Sequence, residues 1–150
     1  MKKPFSQDMH TQYDGIGKAR VAEHFKIAYG IDLVEHEDKY AVDLVAYRNG
    51  QKIGYVEVEV RDSWSRDNFP FDSLHIPERK EKLLSNDLRT YLVSVNKLGT
   101  RAFICDASVI LNSPRMEKNN KHVQQGELFF LVDPSRIRLV NLKNKEQHGN

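Results

Sequence analysis

Apolar and polar residues alternate on both sides of Asn49-Gly50, a pattern that predicts a β-hairpin over residues 42–60. Register decides what the hairpin presents. With a two-residue loop, Asp43 falls opposite Val56, and the apolar set scatters over both faces. With a three-residue loop, Asn49-Gly50-Gln51, Arg48 pairs with Lys52 and Asp43 falls opposite Glu57. One face then carries Val42, Leu44, Ala46, Val56, Val58 and Val60. The other carries Asp43, Val45, Tyr47, Ile53, Tyr55, Glu57 and Glu59. Burying one valine or leucine is worth about 1.5–3 kcal/mol. Several of them outweigh a turn preference, so the pattern predicts the three-residue loop with Gly50 left-handed.

Around the hairpin the periodicity predicts further elements. A helix opens at Asp14-Gly15, with Asp14 as its N-cap, runs to Tyr29 and stops at Gly30. Ile16, Ala19, Ala22, Phe25 and Tyr29 form its apolar stripe, with Glu23 beside it. A short strand over 31–34 and a polar turn over 35–39 lead into hairpin strands over 41–47 and 52–60. A long connection over 61–73 has no clean period. Pro77 suits the first turn of a helix over 77–86. Strands follow over 91–95 and 101–105, then a short helix or turn over 107–111 and a polar, basic segment over 112–125. Strands over 127–132 and 136–142 flank the turn Asp133-Pro134-Ser135. Residues 143–150 read as a flexible tail. The expected fold class is α+β (α/β): one domain over 1–142, a central mixed β-sheet flanked by helices.

Composition narrows the setting. The 150-residue chain suits one domain with a real core. Its net charge of +2 makes it no polycation, so any nucleic-acid contact must come from a local patch. Cys105 is the only cysteine, which excludes an intramolecular disulfide and suits a reducing cytoplasm. The basic start, Met1-Lys2-Lys3, has no apolar segment behind it to make a signal peptide. No apolar run reaches membrane-spanning length, so no membrane partner is expected.

The hairpin register has a chemical consequence. Asp43, Glu57 and Glu59 share a surface, and opposed side chains sit about 5 Å apart. Two carboxylates at that distance repel by about 3 kcal/mol at an effective dielectric of ~20. A proton, screening water or a bound cation would each relieve this. Hard cations such as Mg²⁺ are held by one or two carboxylates plus substrate phosphates. Basic and aromatic residues supply candidate phosphate and base contacts: Arg61, Trp64 and Arg66 in the long connection, then Arg115, Lys118 and Lys121. Arg79 and Lys80 in the helix over 77–86, and His75 just ahead of it, are further candidates; solvated surface positions are the competing reading. The sequence has no nucleophile elbow, no CxxC, no Gly-rich phosphate loop and no HxxxH pair.

The order helix, three strands, helix, strand, with Asp43 and Glu57-Val58-Glu59 placed as above, resembles the PD-(D/E)XK nuclease superfamily over about residues 14–105. That resemblance implies a restriction-endonuclease-like core. It implies a Mg²⁺- or Mn²⁺-dependent nuclease, an endonuclease acting on DNA more readily than RNA. Asp43, Glu57 and the Val58 carbonyl would hold the metal, and Glu59 would orient or deprotonate the attacking water. Lys80 or Arg79 would face the phosphate, and Glu23 matches an occasional helix-one glutamate. Two departures stand out. Glu59 occupies the family's usual lysine position, as it does in some restriction endonucleases, and Val42 rather than proline precedes Asp43. These leave open a catalytically inactive relative that binds nucleic acid or a protein partner. Many members of the superfamily act as homodimers, and a small stand-alone nuclease suits a phage or mobile element.

Overall fold

The computed structural model describes residues 13–38, 41–117 and 127–142. Helix α1 (Tyr13–Tyr29) leads into a meander of β1 (Asp32–Glu35), β2 (Leu44–Arg48) and β3 (Gln51–Arg61). A crossover holds β4 (Leu74–Pro77), a 3-10 turn (Glu78–Lys80) and α2 (Glu81–Leu84). Then come β5 (Arg89–Asn96), β6 (Arg101–Asp106), α3 (Ala107–Leu111), β7 (Arg115–Glu117), β8 (Leu128–Val132) and β9 (Arg138–Asn141). Six strands form one sheet in the order β1-β2-β3-β5-β6-β9, and β4-β8-β7 form a second. The β3–β5 pair is parallel, so the chain must cross over between them, whereas the meander closes by tight turns. The fold is therefore mixed α+β around a mixed sheet, as the periodicity predicts.

Both faces of the large sheet are covered. On one, Val21 and Phe25 of α1 bury against Leu33, Leu44, Val56, Val58, Val93 and Val95. On the other, Leu92, Phe103 and Cys105 bury against Trp64, Ile76, Ile110 and Phe130 from the small sheet, its loop and α3. The expectation of one dry and one wet face is corrected: Val45 and Tyr55, on the acidic face, are buried too. Central strands covered on both sides lose clean alternation.

The hairpin resolves the register question by satisfying both demands. Its loop has two residues: Asn49 (φ 52°) and Gly50 (φ 77°) are left-handed, and Arg48 pairs with Gln51. This is the turn Asn-Gly favours, and it corrects the three-residue loop. The register then shifts, with Tyr47 opposite Lys52 but Ala46 opposite Gly54 and Leu44 opposite Val56. The extra residue, Ile53, is a β-bulge. One inserted residue lets the local turn chemistry and the burial of the valines coexist. Beside the bulge, a Cβ on Gly54 would come 2.3 Å from the Arg89 carbonyl oxygen. Gly54→Ala should therefore cost about 1–3 kcal/mol, the scale of forced overpacking, read as a lower denaturant midpoint.

Three other expectations change. The helix over 77–86 starts later and is shorter: Pro77 closes β4, residues 78–80 form a 3-10 turn and α2 covers only Glu81–Leu84, because Leu74 and Ile76 alternate inward and pair with Val132 and Phe130. Tertiary burial overrides the helix-start preference of Pro77. In α1, Ile16 is exposed, while Gly17, Val21 and Phe25 face the sheet. Within the polar segment over 112–125, Arg115–Glu117 forms β7 beside β8. The rest of that segment from 118, the Asp14 side chain and the tail over 143–150 lie outside the described residues.

Candidate functional site

β2 begins at Leu44, so Asp43 sits at the mouth of the β2–β3 ladder, and two hydrogen bonds tie it to Glu57 and Val58 of β3. The Asp43 N–H donates to Glu57 Oε1 at 3.1 Å, and the Val58 N–H donates to Asp43 Oδ2 at 2.9 Å. Each carboxylate thus commits one oxygen to the backbone. The other faces an ammonium: Lys18 Nζ lies 3.1 Å from Asp43 Oδ1, and Lys80 Nζ lies 3.3 Å from Glu57 Oε2. Lys18 comes from α1 and Lys80 from the 3-10 turn after β4, so the layers on both sides of the sheet each deliver one cation.

Glu57 is the strained member of the pair. Its side chain is 8% exposed. Burial, then the neighbouring Asp43 charge, push its carboxyl above the usual glutamate range, against the pull of Lys80 and the Asp43 N–H. Glu59 points from the same face of β3 but belongs to a separate network. Its Oε2 accepts from Ser94 Oγ at 2.8 Å and faces the Arg61 guanidinium at 2.8 Å. Arg61 also donates to Ser94 Oγ at 2.7 Å and to the His75 carbonyl.

The structure redistributes the other sequence candidates. Val58 is buried with its N–H turned toward Asp43, and in a strand the carbonyl of a residue opens to the same side as its N–H. Arg79 pairs with Glu127 rather than with the carboxylates. The His75 Nε2 lies 2.9 Å from Ser73 Oγ, and its carbonyl anchors Arg61. Glu23 is half-buried, five residues past Lys18, which places it about 140° around α1 from the lysine that reaches the pair.

The proposed nucleic-acid contacts change most. Trp64 is fully buried, with its Nε1–H donating to the Asn68 carbonyl, and so cannot stack on a base. Arg61 is committed to Glu59, Ser94 and His75. Arg115 lies between Glu78 (2.6 Å) and Glu81 (2.9 Å), over the Phe130 ring. Arg66 is exposed, and Lys118 and Lys121 lie outside the described residues. Sequence reasoning missed Lys18 and Ser94. Nothing local in the sequence singles out either residue; the place of Lys18 beside the buried Gly17 belongs to the fold.

Among the described residues, no group of three or more His, Cys, Asp or Glu side chains is placed to hold a metal ion. Two carboxylates and one carbonyl are a narrower set, but their chemistry fits. The donors are hard oxygens, and Mg²⁺ is commonly held by one or two carboxylates with substrate phosphates completing its shell. The outer oxygens of Asp43 and Glu57 already attract positive charge, with two ammoniums as the stand-ins. No helix of the described residues is long and apolar enough to cross a membrane. No protein-family model, curated protein or solved structure matches this chain.

Proposed function

We propose that the protein is a Mg²⁺- or Mn²⁺-dependent nuclease that hydrolyses DNA phosphodiester bonds at the Asp43–Glu57 pair. The observation that carries this reading is the joining of the two carboxylates through the Asp43 and Val58 backbone N–H groups. The order of elements supports it: α1, the β1–β3 meander, a crossover and the parallel strand β5 follow the order expected of a restriction-endonuclease-like core.

The residues divide the work as follows. Asp43 Oδ1, Glu57 Oε2 and the Val58 carbonyl would hold the cation. A divalent ion there supplies Lewis acidity toward the phosphate and lowers the pKa of a bound water. Lys80 and Lys18, drawn off the carboxylates, would move to phosphate oxygens and stabilise their charge. Glu59 has both its contacts on Oε2. That leaves Oε1 to orient the attacking water, with Ser94 and Arg61 fixing the side chain.

One observation favours a second reading, an inactive module of the same fold that binds nucleic acid or a protein. Lys18 and Lys80 satisfy both carboxylates without any other cation. The two readings separate in one experiment. Single-stranded, duplex and branched DNA are incubated with the protein in Mg²⁺, Mn²⁺ or EDTA, alongside calorimetry with Mn²⁺. The nuclease should cut in either metal, stop in EDTA and bind Mn²⁺ with measurable heat. Intact DNA and no heat would leave the inactive module.

A further inference from the structure

We propose that a cleft at the hairpin end of the large sheet binds the phosphate backbone of a single nucleic-acid strand through Arg48, Arg136 and Arg138. The inference rests on nucleic acid being the partner, and not on the chain cutting it.

The cleft is a cavity of about 360 Å³ between the end of α1 and the β5, β6 and β9 strands. A second cavity of about 370 Å³ shares Phe25, Ile31, Arg48, Arg89 and Tyr91 with it and prolongs it toward the bulge. The region lies on the α1 side of the sheet. Arg89 pairs with Gly54 in β3, three residue steps from Glu57, or roughly 10 Å along the strand. It is thus separate from the carboxylate site.

Its charge is not spent internally. Among the described residues, Arg89 is the lining arginine with a carboxylate ion pair, to Asp106 at 2.9 Å, while the exposed Asp133, three positions before Arg136, lies in the field of that arginine. Arg48 donates to the Tyr29 carbonyl at 3.2 Å, and Arg138 donates to the Tyr29 hydroxyl at 3.1 Å. Both partners are neutral, so each guanidinium keeps its full charge and most of its five N–H donors. Arg48, Arg136 and Arg138 are all exposed. His24 registers the resulting field: burial and then the Arg138 charge hold its imidazole below the usual range. Tyr29 and Tyr91 line the same wall, where the Arg89 guanidinium sits over the Tyr91 ring at 5.6 Å and Tyr29 packs edge-to-face with His24 and Phe25. Guanidinium groups with aromatic rings are the elements of single-strand binding. This contrasts with Arg61 and Arg115, whose charges are met by glutamates.

The test measures binding of a fluorescent oligothymidylate 20-mer in EDTA, using the Asp43→Ala chain so that no cleavage can occur. Salt is varied from 0.1 M to 1 M. Each lost phosphate contact makes the log–log salt slope shallower by about 0.7. Arg48→Gln/Arg136→Gln/Arg138→Gln should therefore lower the slope by about 2, with affinity at 0.1 M salt falling on the order of 100-fold. The corresponding triple Arg→Lys chain should keep most of the slope, because charge survives. The proposal is overturned if the unsubstituted cleft fails to bind the strand. It is equally overturned if the Gln triple binds with an unchanged slope, or if the Lys triple loses as much as the Gln triple. None of these results bears on whether Mg²⁺ or Mn²⁺ supports cutting, so this proposal and the nuclease reading fail separately.

Discussion

Glu57→Gln should abolish metal-dependent cleavage while leaving the protein at least as stable as the wild type at pH 7. The first half follows from the site. Gln keeps the shape and can still accept the Asp43 N–H, but it removes the anionic oxygen that faces Lys80. Loss of a preorganised electrostatic partner costs about 10²–10³-fold in rate, and a cation ligand should cost no less. The second half follows from the upward shift of the Glu57 carboxyl. Its direction says that burial and Asp43 repulsion outweigh what Lys80 and the backbone return. The folded chain therefore binds a proton on Glu57 at pH values where the unfolded chain has lost it. The Glu57 contribution to wild-type stability must then fall as pH rises through the window that opens at the ordinary value of 4.5 and closes at the raised native one. Glu57→Gln has no such proton, so the difference in stability between variant and wild type should shift toward the variant as pH rises through that window. Activity assays with Mn²⁺ and urea melts across that pH window check both halves. A variant that loses stability at pH 7 would mean that the Lys80 contact outweighs the burial. A variant that still cuts like the wild type would remove Glu57 from the chemistry. Sites that store such a cost are expected where function requires a charge in a poor environment.

The legible parts of this chain are those decided by local pattern. Gly30 ends α1 with φ 66°, and the β-branched runs from Val42 to Val60 pair as a hairpin that sets Asp43 beside Glu57. The bulge was not legible, because it arises from a conflict between two signals that each read correctly alone. Asn49-Gly50 asks for a two-residue turn, while the valines ask for a register one residue longer. The crossover was misread for a related reason. Pro77 is a good helix-start residue, yet Leu74 and Ile76 find partners in β8, more than fifty positions later in the chain. Lys80 was placed near the pair from the sequence, but on a helix that is here a 3-10 turn. Lys18 and Ser94 are visible only once α1 and β5 are laid against β3. Charge was the least legible quantity of all. The basic residues of the long connection and of the 112–125 segment looked available, and the described ones, apart from Arg66, are held by Glu59, Glu78 and Glu81.

Trp64→Ala should destabilise the protein by about 3–5 kcal/mol, the cost of emptying a large buried aromatic site. Trp64 is 0% exposed, and its ring meets Phe69 and Phe103, each with centroids 5.3 Å away. Its Nε1–H donates to the Asn68 carbonyl at 3.1 Å, and its own carbonyl accepts from the Lys97 N–H at 2.8 Å. The side chain thus packs the loop after β3 on Phe103 of β6, and the main chain of the same residue ties that loop to the β5–β6 turn. A typical domain is stable by about 5–15 kcal/mol in total, so the loss would consume much of it. Trp64→Phe keeps most of the ring volume but loses the Nε1–H donor, and should cost less. Because the chain has one tryptophan, wild-type unfolding is followed by fluorescence and the variants by circular dichroism. The outcome distinguishes two roles for the same residue. A base-stacking platform would lose affinity for a DNA strand and keep its denaturant midpoint. A core plug loses the midpoint first. Its loss also loosens Arg61, three positions earlier, whose guanidinium orients Glu59, so residual activity should fall in the folded fraction as well.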